Sequence, residues 1–133
     1  MGGEELIRAW FDSSPYIAKL GIRLVELEPD RAVVELPFEP GLATAGELVH
    51  GGAIGSLIDC AAAAAAWSAH DREESRWGTV AMSVNFMKGA RSSSLTATAS
   101  VSRRARTICF CAIDVADSDG TSVAEGLVTY RLG

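Results

Sequence analysis

The chain has 133 residues, 48% hydrophobic and 22% charged, with a formal net charge of −5. That length and balance fit one globular domain over residues 1–133, with a core large enough to need no staples, and the acidity argues against a nucleic-acid track. Three cysteines, Cys60, Cys109 and Cys111, with no histidine cluster at metal spacing, argue against a disulfide framework or a zinc site.

Free thiols fit a reducing cytoplasm, and the acidic start of the chain has no apolar signal core. The longest apolar run, Cys60 to Trp67, is short and mostly alanine, so no membrane span is expected. Residues 3–11 read as a short helix with Leu6, Ile7 and Trp10 on one side, broken at Ser13-Ser14-Pro15. Residues 21–28 and 31–38 read as strands joined by a Pro29-Asp30 turn, the second with Ala32, Val34, Leu36 and Phe38 on one face. Residues 39–49 read as a loop.

Residues 50–69 form the one long helix. Ala61 to Ala66 are strong helix formers, and Ile54, Leu57, Ile58 and Ala61 share a face. Gly52, Ser56, Asp59, Ala63 and Ala66 share another. The helix is apolar nearly all round and is expected to be buried. Four strands follow, at 77–88, 93–103, 106–117 and 121–132. Val80, Met82, Val84 and Phe86 alternate with Ala81, Ser83 and Asn85 in the first. Asp117 to Gly120 is a hairpin signal. Because no helices separate these strands, the economical fold is α+β, one antiparallel sheet around one helix, with a sheet edge left to favour self-association.

The chemistry concentrates in Val49 to Asp59. Gly51 and Gly52 open the helix, where bare backbone N–H groups and the helix dipole favour a carbonyl oxygen that gains negative charge; the alternative is a glycine-rich helix entry without a ligand. Asp59 stands among Ile58, Cys60 and alanines. A carboxylate there is either a nucleophile or general base, or a structural group bonded to a hydroxyl or backbone partner. His50 precedes the helix and reads as a positioning group rather than the base. His70 reads as a solvated residue complementing the helix C-terminus. Thr79 and Ser83 are strand hydroxyls, either of which could face a site. Trp67, Met82 and Phe86 could line an apolar pocket, but each reads first as core. The basic stretch Arg103, Arg104 and Arg106 is too short for a polyanion but could grip one phosphorylated small molecule. No nucleophile elbow, phosphate loop or dinucleotide fingerprint is present.

His50-Gly51-Gly52 followed by Leu57-Ile58-Asp59, with the acid nine residues after the histidine, resembles the signature of PaaI-like hotdog-fold thioesterases. Val80 to Ala90 and the ending Gly120 to Leu132 are similar to the strands of that family. The resemblance implies a hotdog fold, an antiparallel sheet wrapped around a long central helix, and hydrolysis of an acyl-CoA thioester without metal or redox cofactor. It implies a site shared between two subunits. There Gly51 N–H polarises the thioester carbonyl, and Asp59 of the partner subunit attacks it or activates water. Thr79 orients the water or carboxylate, and His50 holds the loop or contacts the thioester. Gly52 and Thr44 border the substrate, and Arg103, Arg104 and Arg106 lie near the CoA phosphates. A homodimer that pairs into a homotetramer is the implied assembly, with no nucleic-acid or membrane partner.

Thr44 departs from the family, in which many relatives carry an asparagine six residues before the histidine. A hydroxyl replaces an amide and has shorter reach, which keeps open a protein that binds acyl-CoA without cleaving it. A hydratase or dehydratase would need a carboxylate and an imidazole together, yet His50 and Asp59 are about 13–14 Å apart along one helix.

Overall fold

A computed structural model describes residues 2–133. The first helix, α1 (Gly3–Ser13), ends where Ser14 turns extended, and Ser14 then caps a second, α2 (Pro15–Leu20). The proline that breaks α1 thus starts α2, since its missing N–H and fixed φ suit the first helical position. Gly21, at φ 77°, closes α2 in the left-handed conformation that glycine adopts without strain.

Two strands, β1 (Arg23–Glu28) and β2 (Arg31–Leu36), follow as a hairpin turning at Asp30, whose φ is 64°. The segment read as loop holds a single helical turn at Pro40–Leu42 and a small hairpin of β3 (Ala43–Ala45) and β4 (Leu48–Val49). The long helix α3 (Gly51–Ser68) comes next. The remaining strands are β5 (Trp77–Phe86), β6 (Leu95–Arg104), β7 (Ile108–Ala116) and β8 (Ser122–Leu132). The main sheet is fully antiparallel, in the order β1-β2-β6-β7-β8-β5, and α3 packs against one face of it. This is the α+β hotdog arrangement expected from the sequence.

Small residues set the helix-to-sheet distance. Ala61 to Ala66 are buried over a sheet face that offers Ala32, Ala97, Ala99 and Gly126. A Cβ at Gly126 would lie 2.8 Å from Ile58 Cγ2, so only glycine lets β8 pass this close. The C-terminal end of α3 is closed by Arg104, whose Nη2 donates to Ala66 O at 2.9 Å and to Asp30 Oδ1 at 2.7 Å. A cation at the last carbonyls of a helix satisfies both their hydrogen bonds and their partial charge. Gly3 N–H donates to His70 O, which docks α1 against the same end.

The two edges of the sheet differ. On the outer strand β1, Arg23 pairs with Glu35, and Arg31 with Glu26 and Glu28. On the other edge β5 has no charged residue, and it exposes Trp77, Val80, Met82 and Phe86. Among the described residues, no helix is long and apolar enough to cross a membrane.

Candidate active site along the helix and the edge strand

Helix α3 is buried except for one stripe. Gly52 is exposed, and Gly51, Gly55, Ser56 and Asp59 are half-buried. This is the face assigned above to Gly52, Ser56 and Asp59; Ala63 and Ala66, further along, are buried. The polar character of the stripe follows from its access to water.

The helix entry is organised by His50. Its Nδ1 accepts from Gly52 N–H at 2.7 Å, so the imidazole is the helix N-cap and carries its ring proton on Nε2 when neutral. A Cβ at Gly52 would stand 2.9 Å from that Nδ1, so the cap itself requires glycine. Gly51 differs. A Cβ there would meet the Phe86 ring at 3.5 Å, an ordinary contact, so the packing of this chain does not demand glycine. Among the described residues its N–H donates to no protein acceptor. The helix therefore presents one free, dipole-assisted donor at its mouth.

Asp59 stands two turns further on. Thr79 Oγ1 donates to its Oδ1 at 2.5 Å, which makes Thr79 the residue that fixes the carboxylate. A register shift between Thr79 and Ala81 in the β5–β8 ladder makes this geometry possible. A strict alternation would put Thr79 on the face opposite Met82 and Phe86. The extra residue, Val80, resets the phase. Thr79 now meets Asp59, Met82 approaches Gly55 and Phe86 approaches Gly51, so β5 runs alongside α3 from mouth to middle. Ser83, the other strand hydroxyl, lines a groove with Thr98, Ser100 and Leu127, away from the helix.

The aromatic readings need correction. Trp67 is core, as expected, but Met82 and Phe86 are 45% and 57% exposed, because β5 is an edge strand with no neighbour over it. His70 is not solvated. Its side chain is 15% exposed, and its Nε2 bonds Glu74 at 2.8 Å, a carboxylate that the helix end shields.

Two groups beside Asp59, Cys60 and Tyr130, stay neutral. Burial, then the charge of Asp59, pushes the Cys60 thiol up to about 12. Burial also pushes the Tyr130 phenol up to about 12; the hydrogen bond from Trp67 opposes this and the Asp59 charge adds to it. Cys60 is therefore a thiol and not a nucleophilic thiolate. Among the described residues, no three histidine, cysteine or acidic side chains converge as metal ligands would.

The structure brings Asp59 and Thr79 together, and His50, Gly51 and Gly52 together, but keeps the two groups apart. Gly51 and Asp59 are eight residues apart on one helix, about 12 Å. Thr44 is exposed on β3 and has no hydrogen bond to Asp59. Arg103 and Arg106 are exposed, without a carboxylate partner among the described residues. Arg104, expected beside them as a phosphate contact, instead holds Asp30, Ala66 O and Cys109. Arg104 lies at the C-terminal end of α3, about 22 Å along the helix from Gly51. Sequence reasoning missed Tyr16, whose hydroxyl shares a 2.8 Å hydrogen bond with Ser56, one turn from Asp59; it sits on the unexpected helix α2.

Comparison with known proteins places the fold and the family. The family described as "Domain of unknown function (DUF4442)" matches residues 3–132. A protein of Saccharolobus solfataricus is 30% identical over 113 residues, covering 85% of this chain and 79% of its own length. The medium/long-chain acyl-CoA thioesterase YigI of Escherichia coli K12 is 26% identical, over 90% of this chain and 86% of that protein. The crystal structure of a thioesterase family protein from Silicibacter pomeroyi superposes with a TM-score of 0.90 at 27% identity, covering 99% of this chain and all of that one. The PaaI protein of the Escherichia coli phenylacetic acid degradation operon shares the fold, with a TM-score of 0.80 at 22% identity, over 96% of this chain and 95% of that one.

Proposed function

Because the chain belongs to the DUF4442 family and is a thioester hydrolase of the PaaI-like hotdog type, we propose that it hydrolyses acyl-CoA at a site built twice across a homodimer. The observation that carries this reading is the pairing of a free helix-mouth N–H with a carboxylate fixed by Thr79, too far apart to serve one carbonyl within a subunit.

A second copy resolves the distance. β5 is an uncharged, exposed edge that runs beside α3, with Thr79 at Asp59 and Phe86 at Gly51. Antiparallel pairing of two β5 edges, with Thr79 opposite Phe86 of the partner subunit, carries Asp59 toward Gly51 of the partner subunit. Exposed apolar edges are the kind that pair, whereas the ion pairs of β1 defend its edge. The relatives that carry thioesterase names support the chemistry.

In the reaction, the Gly51 N–H takes the thioester oxygen as it gains charge. Asp59 of the partner subunit either removes a proton from water, which then adds to the carbonyl carbon, or adds to that carbon itself. The C–S bond breaks, the CoA sulfur takes a proton, and the acid leaves; an acyl-aspartyl intermediate, if formed, is opened by water. Thr79 positions the carboxylate, and His50 positions the donor by capping the helix. Thr44 and Gly52 border the substrate. Arg103 and Arg106 receive the CoA phosphates, since Arg104 is engaged elsewhere. We place the enzyme in the cytoplasm, as a dimer that pairs into a tetramer.

The test is thiol release from aryl, short-chain and long-chain acyl-CoA by wild type and Asp59→Asn. Hydrolysis by the first and none by the second is the expected result. A folded wild type that binds acyl-CoA but releases no thiol from any member favours the non-catalytic alternative, with Thr44 as its first cause.

A further inference from the structure

A cavity of about 270 Å³ lies where α1, the end of α3 and the start of β5 meet, lined by Leu6, Ile7, Trp10, Trp67, Trp77 and Tyr130. All three tryptophans of the protein are in this wall. Trp67 is packed in place, edge-on to Trp77 at 6.4 Å, with its Nε1 donating to Tyr130 Oη at 3.0 Å. The one strong donor of that indole and the phenol oxygen thus satisfy each other, and the wall they form with Leu6, Ile7, Trp10 and Trp77 is mainly apolar, with Glu73 and Glu74 on one side.

The cavity lies along the face of α3 that carries Asp59. Asp59, Ala63 and Trp67 are four residues apart in turn, so they stack on one face of α3, with only a methyl group between the carboxylate and the indole. Across β5 and β8, Tyr130 is the register partner of Thr79, which holds Asp59. An apolar chain directed from a carbonyl at Asp59 toward the C-terminal end of the helix heads for these aromatic rings.

Resting on the hydrolase reading above, we propose that this cavity is the acyl-tail pocket, formed within the subunit that supplies Asp59, and that it selects an uncharged hydrocarbon chain of medium length. Size sets the length. An apolar cavity of about 150 Å³ holds one benzene, so one of this volume takes roughly ten carbons. Charge sets the end group. Among the described residues, the ionisable carboxyls in the wall are Glu73, which is exposed, and Glu74, held by His70 and by Arg72 Nε at 3.1 Å. A second carboxylate at the far end of the substrate would meet them, so dicarboxylic acyl groups are disfavoured.

Two measurements test the proposal, one without turnover. S-decyl-coenzyme A, a thioether that cannot be hydrolysed, is titrated into wild type while tryptophan emission is followed. A saturable blue shift that CoA alone does not produce is expected, because Trp10 and Trp77 lose water. No shift, or the same shift with CoA alone, overturns the pocket even if the protein is an active hydrolase. The second is kcat/KM across saturated acyl-CoA substrates of increasing length. The expected rise is up to about fourfold per methylene, levelling near ten carbons. Leu6→Trp narrows the cavity and lowers the ratio of long-chain to short-chain kcat/KM at least about tenfold, while Trp10→Ala widens it and raises the ratio, by the same per-methylene scale. A loss of stability cannot move the ratio in both directions. A flat profile, or equal losses at all lengths in both variants, refutes the assignment. Wild type that shifts its emission but releases no thiol retains the pocket and removes the hydrolase.

Discussion

Replacing Thr79 with valine removes one hydroxyl and almost no volume, so it isolates the bond that orients Asp59. That bond is short, 2.5 Å, and its acceptor is a carboxylate. A hydrogen bond to a charged group contributes about 1.5–3 kcal/mol when buried. Thr79 is exposed and Asp59 only half-buried, so water replaces part of the loss and about 1–2 kcal/mol is the expected cost to the reaction. That is roughly a 5- to 30-fold fall in kcat/KM. In the proposed role Thr79 aims the carboxylate and does not hold substrate, so the fall should appear in kcat while KM stays near wild type. Thr79→Ser keeps the hydroxyl and should recover most of the rate. Thiol release followed with a chromogenic disulfide measures all three proteins. Full activity in Thr79→Val would refute the positioning role. A rise in KM alone would make Thr79 a substrate contact.

Further outcomes follow from the structure. Asp59→Asn should lose thiol release with fold and assembly intact; activity that persists removes Asp59 from the reaction. Gly126→Val should lower stability by about 1–3 kcal/mol in thermal or denaturant unfolding, since its Cβ would sit 2.8 Å from Ile58 Cγ2 and the alanine-lined layer has little room to shift. The cysteines should resist alkylation at pH 8 in the folded protein and all react in urea, because burial pushes Cys60 and Cys111 up to about 12 and raises Cys109. The same shifts set a direction with pH. Above the ordinary thiol value near 9.0 the unfolded chain releases these protons and the folded one keeps them, so stability should fall as pH rises from about 9 toward 12. Val80→Lys puts a charge on the open edge and should give a monomer by light scattering with thiol release near background; an active monomer would end the shared-site reading.

The sequence made the helix and its chemistry legible because both depend on local pattern. Six alanines after a glycine-led start define α3, and spacing alone places Asp59 on the face of Gly52 and Ser56. The strand set was legible for the same reason, with Ala124, Gly126, Val128, Tyr130 and Leu132 buried together as their alternation predicts. What escaped depends on partners distant in sequence. Nothing in Thr79-Val80-Ala81 announces a bulge, yet the bulge decides that Thr79 faces Asp59. Met82 and Phe86 read as core from their alternation, since hydrophobic pattern reports which residues could be buried and not which strand becomes the edge. Arg104 looked like part of a basic stretch until Asp30, far away in sequence, paired with it at the helix end. Ser14-Pro15 did carry a legible signal for α2, a cap followed by proline, which the reading of proline as a breaker obscured.

The unlike edges of the sheet also limit how far growth can go. A subunit sticky along both borders would add copies without end, as strands do in a fibril. Here ion pairs blunt one border and the other is bare, so pairing through edges would give each molecule a valence of one in the plane of the sheet. Once two bare borders meet, no template remains for a third chain. In the proposed pair, the same uncharged stretch that would endanger a solitary subunit would be consumed, and would terminate the assembly that it begins.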